Sequence, residues 1–310
     1  MTDAPRLTAP DAGFLGAPVE TDVARIDADV AILGIPHGVA YPHAGLTAGC
    51  ADAPAAIRRS SQRLARFRGH HDFDTNAPML PPDRPPRLVD CGDVPGSPED
   101  GAGNAGRAEA AVRAVLGRGA IPIVLGGDDS VPIPALTAFE GRGPITVLQI
   151  DAHLDFRDEV AGVRDGYSSP MRRASEMPHV ARILHVGLRG VGSARSSDVA
   201  DSLAAGNFLV TARQLRERGV PWLLARVPPD ASVFVSFDCD GLDPSVCAAV
   251  SAPAPGGLSF DEAADLLGGV GARLAGAAFT ELAPALDSPG LAALVVARLI
   301  VRLLSPAGMR

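Results

Sequence analysis

Lysine is missing from the chain: all 28 basic side chains among its 310 residues are arginine. That absence excludes a P-loop lysine, a Schiff-base aldolase and a pyridoxal enzyme together. Cysteine is scarce, and Cys50, Cys91, Cys239 and Cys247 form no C-x-x-C pair. Such spacing argues against a disulfide scaffold or a zinc knuckle and fits reduced thiols in a cytoplasmic protein. The start, "MTDAPRLTAPDAG", lacks a basic segment followed by an apolar core, so no signal peptide is expected. The most apolar stretch, "LAALVVARLIVRLL", is interrupted by Arg298 and Arg302 and is too short to span a bilayer. It is expected to be a packed helix over about 288–304. A formal charge of −8 argues against nucleic-acid and acidic-membrane partners.

What is present is globular: 46% hydrophobic and 21% charged residues. Apolar, β-branched runs predict strands at "DVAILGI", "RLVDCG", "IPIVLG", "ITVLQI", "RILHVGL", "NFLV", "SVFVSF" and "LAGAAFTEL". Helical segments fall between most of them, at "PAAIRRSSQRLARF", "AGRAEAAVRAVLGRG", "IPALTAFEG", "SPMRRASE" and "SFDEAADLLGGV". Near-continuous apolar strands alternating with helices predict an α/β fold whose mostly parallel sheet is covered on both faces. No repeat or long linker interrupts the pattern, so one domain over 1–310 is expected. Pro-rich 76–87 is expected to be a surface loop ahead of a strand.

In such sheets ligands bind beyond the carboxyl ends of the strands. Here those ends are chemically loaded. "GGDDS" brings Asp128 and Asp129, "DAHLD" brings Asp151, His153 and Asp155, "FDCDGLDP" brings Asp238, Asp240 and Asp243, and "TEL" brings Glu281. Each motif alone has an ordinary explanation: an acidic turn, a calcium-like loop without its terminal Glu, a hydrogen-bonded histidine. Together they form a set of carboxylates with no lysine or arginine inside the motifs, which is costly to desolvate without counter-ions. Residues two apart at a strand end point the same way, so Asp151, His153 and Asp155 converge, as do Asp238 and Asp240. Two such groups predict a two-metal centre, with mixed oxygen and imidazole donors suiting Mn²⁺ best and Ni²⁺, Co²⁺ or Fe²⁺ possible. A bridging water there would have a lowered pKa and serve as nucleophile.

"DAHLD" and "SFDCDGLDP" in this order, with "LGIPHGVAYPHAG", "APAAIRRSS", "APAPGGLSFDEA" and "TELAPALD", resemble the ureohydrolases: arginase, agmatinase and proclavaminate amidinohydrolase. The likeness covers almost the whole chain. It implies a three-layer αβα fold with an eight-stranded sheet, two manganese (sometimes nickel) ions, trimers or hexamers, and urea release from a guanidino substrate. Carried over, Asp151 and Asp238 would bridge the metals, Asp155 would complete one shell, and His153 and Asp240 the other. Glu281 matches the acidic residue that receives the substrate guanidinium.

Two departures stand out. The family's G-G-D-H-S carries a ligand histidine where this chain has Asp129. Aspartate still ligates, but five carboxylates against two divalent ions leave one net negative charge, where four would leave none. That charge should make the bridging water a weaker acid and favour oxophilic metals. The family's H-G-T-P-F stretch, whose histidine is thought to shuttle protons, aligns with Tyr167, Ser168 and Ser169. Tyrosine, reference pKa near ~10, shuttles poorly at neutral pH. His37 and His43, in the loop after the first strand, are candidate replacements. Arg157 and Arg164 follow "DAHLD" and either meet a substrate carboxylate or pair with Asp158, Glu159 and Asp165. His185 inside "RILHVGL" is expected to be a satisfied core residue. Two other readings remain: a degenerate paralogue acting as a structural or regulatory subunit beside an intact partner, and a mononuclear-metal amide hydrolase.

Overall fold

The computed structural model describes residues 6–39, 41, 47–192 and 194–305. The long sheet takes its strands from β1 (Val30–Ile35), β4 (Leu88–Asp93), β5 (Ile121–Gly126), β6 (Ile145–Ile150), β7 (Val180–Leu188), β8 (Phe208–Thr211), β9 (Ser232–Asp238) and β10 (Leu274–Thr280). Every one of the eight predicted strands forms, because a strand buried on both faces has to be apolar at nearly every position. Their order is β4-β1-β5-β10-β9-β6-β7-β8, with all neighbours parallel. A two-residue antiparallel ribbon, β2 (His71–Asp72) with β3 (Ala77–Pro78), stands apart, at the start of the expected surface loop.

The helices are α1 (Ala53–Ala65), α2 (Gly101–Gly117), α3 (Pro132–Thr137), α4 (Pro170–Glu176), α5 (Ser196–Ala204), α6 (Ala212–Arg218), α7 (Val220–Leu224), α8 (Phe260–Val270) and α9 (Leu291–Leu304). Strand alternation sends Val30, Ile32, Ile123 and Leu125 to one face, where they meet α1, α6, α8 and α9. Ala31, Leu33, Val124 and Phe234 face the other way, against α2, α3 and α4. Helices on both faces of one parallel sheet make the three-layer αβα fold. No helix among the described residues is long and apolar enough to cross a membrane.

Register brings the strand ends level. Leu125, Phe279, Phe237 and Ile150 lie in one row across β5, β10, β9 and β6. The row beyond is Gly126, Thr280, Asp238 and Asp151, so four chain segments far apart in sequence end side by side at the middle of the sheet. The chain leaves β5, skips two places to β6, and later fills the gap with β9 and β10. That gap is where ligands enter doubly wound sheets.

Candidate metal centre

Two glycines allow the strand ends to approach. A Cβ on Gly127 would lie 2.2 Å from the Pro36 carbonyl, and one on Gly241 would lie 2.8 Å from the Asp151 amide. The Glu281 amide donates to the Gly127 carbonyl at 2.9 Å, pinning β10 to β5. Glu281 and Asp155 hold left-handed backbone, at φ 62° and 47°, a conformation costing non-glycine residues of order 1 kcal/mol or more. Both lie at the site, where local strain sets the aim of a side chain.

The two adjacent carboxylates of "GGDDS" have different work. Asp128 accepts from the Ser130 amide (2.9 Å) and hydroxyl, and Ser130 Oγ accepts from the Val39 amide at 2.6 Å. It fastens the turn to the loop after β1. Asp129 points inward: Oδ1 accepts from the Thr280 hydroxyl, while Oδ2 is buried with no hydrogen-bond partner among the described residues. A buried, orphaned carboxylate oxygen is costly unless a cation meets it.

Ligand atoms of Asp129, Asp151 and Asp238 lie within 4.8 Å of one another, and so do those of Asp151, His153 and Asp240. Asp151 belongs to both groups. Asp155 falls in neither trio, yet it is buried on the same cavity and its carboxyl contacts Asp151. Oxygen donors plus one imidazole, crowded around an unpartnered oxygen, fit divalent transition-metal ions. The cavity above them, about 260 Å³, is also lined by Glu281, Tyr167, Arg157 and Val191.

Electrostatics state the same need. Burial, then the Asp240 charge, raises the Asp151 carboxyl to about 7. Burial, then Asp151, holds Asp129 and Asp155 well above the usual carboxylate range. Burial, then Asp240, does so for Asp238. Burial, then Asp128, raises Glu281 to about 8. For His153, burial pulls downward, but its hydrogen bond to Asp240 and the Asp151 charge outweigh it and raise the imidazole to about 9. A bound cation replaces protons in such a site and reverses these preferences.

Neighbours aim the candidate ligands. Asp151 Oδ1 accepts from the His153 amide (2.6 Å), and Asp238 Oδ1 from the Asp240 amide (2.7 Å). Asp240 receives the Ala152 amide (3.1 Å) on one oxygen and His153 Nδ1 (2.9 Å) on the other. Gln149 Nε2 donates to Asp151 Oδ2 at 2.7 Å, and Gln149 Oε1 accepts from His185 Nδ1. His185 is the satisfied core residue expected, lowered by burial to about 3 and therefore neutral. Glu281 receives the Asp129 amide on Oε1 (2.9 Å) and the Cys50 thiol on Oε2 (3.6 Å).

Sequence reasoning missed Gln149, Cys50 and Arg189. Gln149 carried a signal, as a polar residue inside the apolar run "ITVLQI". Arg189 lies beneath the 240–242 turn, donating to the carbonyls of Gly187, Asp240, Gly241, Leu242 and Ala254 at 2.6–3.2 Å. It is a cation close to the carboxylates that the strand-end motifs did not contain, but its N–H groups go to backbone.

Of the shuttle candidates, Tyr167 lines the cavity, edge-on to Tyr41 with ring centres 4.4 Å apart. Burial raises its phenol further, so it holds its proton at neutral pH. His37 stands beside Gly96, near Asp128, and is not among the described residues lining the cavity. His43 lies outside the described residues.

A sequence profile of the arginase family matches residues 28–305, which include every candidate ligand. The chain belongs to the arginase family. It is therefore a hydrolase acting on carbon–nitrogen bonds. Guanidinopropionase of Pseudomonas aeruginosa is 30% identical over 300 residues, covering 94% of this chain and 90% of that protein. Agmatinase of Sodalis glossinidius is 30% identical over 302 residues, covering 94% and 91%. The structure of a proclavaminate amidino hydrolase from Streptomyces clavuligerus superposes with a TM-score of 0.81 at 26% identity, over 99% of this chain and all of that one.

Proposed function

We propose that this chain releases urea from a guanidino compound at a centre of two divalent cations, manganese first and nickel as the alternative. One observation carries the reading: Asp151 belongs to both clusters of candidate ligands, the arrangement a carboxylate shared between two cations requires. Asp129, Asp151, Asp155 and Asp238, with His153 and Asp240, would hold the ions. Bound there, the ions supply Lewis acidity and bring the pKa of water down toward about 7.

The chain's own residues do the rest. Glu281 receives the guanidinium in charge-assisted hydrogen bonds, and the Asp129 amide and Cys50 thiol fix its carboxylate in place. Gln149 and the local amides keep Asp151, Asp238 and Asp240 from rotating, so little reorganisation is needed on binding. Tyr167, which lines the cavity and keeps its proton at neutral pH, is the proposed donor to the leaving amine. The reading takes 1–310 as one domain, acting in the cytoplasm as a homotrimer or homohexamer.

The test is urea release from a panel of guanidino compounds by protein loaded with Mn²⁺ or Ni²⁺, beside Asp151→Asn. Urea from the parent protein and none from the variant is expected. Silence across the panel with both metals, or amine and acid without urea, would overturn the reading.

A further inference from the structure

The cavity is lined by charges of both signs. Asp129, Asp155, Asp238, Asp240 and Glu281 supply the acidic ones. Arg157 is the one arginine among its described lining residues. Arg164, its sequence neighbour, is already engaged with Asp158 at 3.1 Å and stays at the surface. Arg157 differs: its side chain is 19% exposed, and its only ion pair among the described residues is Nε to Asp198 Oδ2 at 3.7 Å. That oxygen is occupied, since it accepts the Arg195 amide at 2.8 Å in the cap of α5. No hydrogen bond of the Arg157 guanidinium is found among the described residues. The adjacent Asp158 is taken instead by Arg164 and Arg173. The backbone is fixed, because the Arg157 amide donates to the Ser168 carbonyl (3.0 Å) and the Ser168 amide to Tyr41 Oη (3.1 Å).

A mostly buried guanidinium on the cavity lining, with N–H groups that no described residue accepts, is built to receive a carboxylate in bidentate fashion. We infer that Arg157 selects substrates bearing a carboxylate on the tail remote from the guanidine, so that the substrate class is the guanidino acids. The inference rests on the guanidino-hydrolase reading above. A substrate with a cationic tail would set its ammonium against Arg157 and be rejected for the same reason that the acid is accepted.

Three compounds that differ only at the tail test this: 4-guanidinobutanoate, butylguanidine and agmatine. With Mn²⁺-loaded protein, the acid should have the highest kcat/KM. Arg157→Gln should lower that value roughly 10- to 100-fold, through KM, and leave butylguanidine within about twofold. Arg157→Lys should restore part of the loss. Calorimetric binding of the acid to the same loaded proteins gives a readout independent of turnover. Binding that Arg157→Gln weakens, with no urea formed, keeps the inference and overturns the urea reading. A parent protein that prefers agmatine, or acid binding that is absent or unchanged in Arg157→Gln, overturns the inference while urea release stands or falls separately.

Discussion

At the scale of the residue, most candidate ligands are aimed by a hydrogen-bond partner. Gln149 is the clearest case, since the two ends of its side-chain amide bridge the neutral His185 and Asp151, which belongs to both ligand clusters. Gln149→Leu removes the donor to Asp151 Oδ2 and leaves that buried oxygen free to turn. Partners of this kind are worth about 10- to 100-fold in metal affinity or activity. We expect a loss of that size in Mn²⁺ affinity by calorimetry, with the far-ultraviolet circular dichroism unchanged. An affinity within twofold of the parent would show that Gln149 does not orient Asp151. The ligand types were legible in the sequence because they stand at strand ends in short motifs. Their supports were not: Cys50 reaches Glu281 across 231 residues of chain, and Arg189 reaches Asp240 across 51. Such pairings are set by strand order, which a run of apolar residues does not encode.

At the scale of the element, α1 is locked to β4 by charge as well as by apolar packing. Arg58 is 2% exposed and meets Asp90 through Nε (2.9 Å) and Nη2 (3.0 Å), and Asp93 through Nη1 (2.6 Å). Asp90 also accepts the Phe14 amide at 2.7 Å, so one carboxylate fastens both the helix and the incoming N-terminal segment. Arg58→Leu strands Asp90 as a buried, uncompensated charge, which costs about 3–5 kcal/mol. Guanidinium unfolding should show a loss in that range; less than about 1 kcal/mol would contradict the assignment. The long elements were legible from their periodicity, but α5, α6 and α7 were not. Residues 196–224 are short, mixed in polarity and largely exposed. Their signals were in the caps: Thr211 with Gln214, and Asp198 reaching back to the Arg195 amide. The ribbon β2–β3 has only two residues per strand, too few for any alternation to show.

At the scale of the whole molecule, the carboxylates gathered at the strand ends tie stability to pH and to metal. In metal-free protein the folded state keeps Asp151 protonated up to about 7 and Glu281 up to about 8, above their ordinary values. Acids raised on folding stabilise the fold below their unfolded pKa and lose that contribution as pH rises through the folded one. His153, raised to about 9, acts in the same direction: its contribution is whole below about 6.5 and gone above 9. Chelated protein should therefore show a thermal midpoint that falls steadily from pH 6 to pH 9. Excess Mn²⁺ should remove most of that slope, because the cation replaces the protons. A midpoint independent of pH without metal would contradict this electrostatic picture.

If Asp151 is shared by two cations, each chain binds two ions, and a count of bound metal decides it. Protein saturated with Mn²⁺ and passed through a desalting column is analysed by inductively coupled plasma mass spectrometry beside Asp151→Asn. Two ions per chain are expected in the parent and fewer than one in the variant. A single ion in the parent, or two retained by Asp151→Asn, would contradict it.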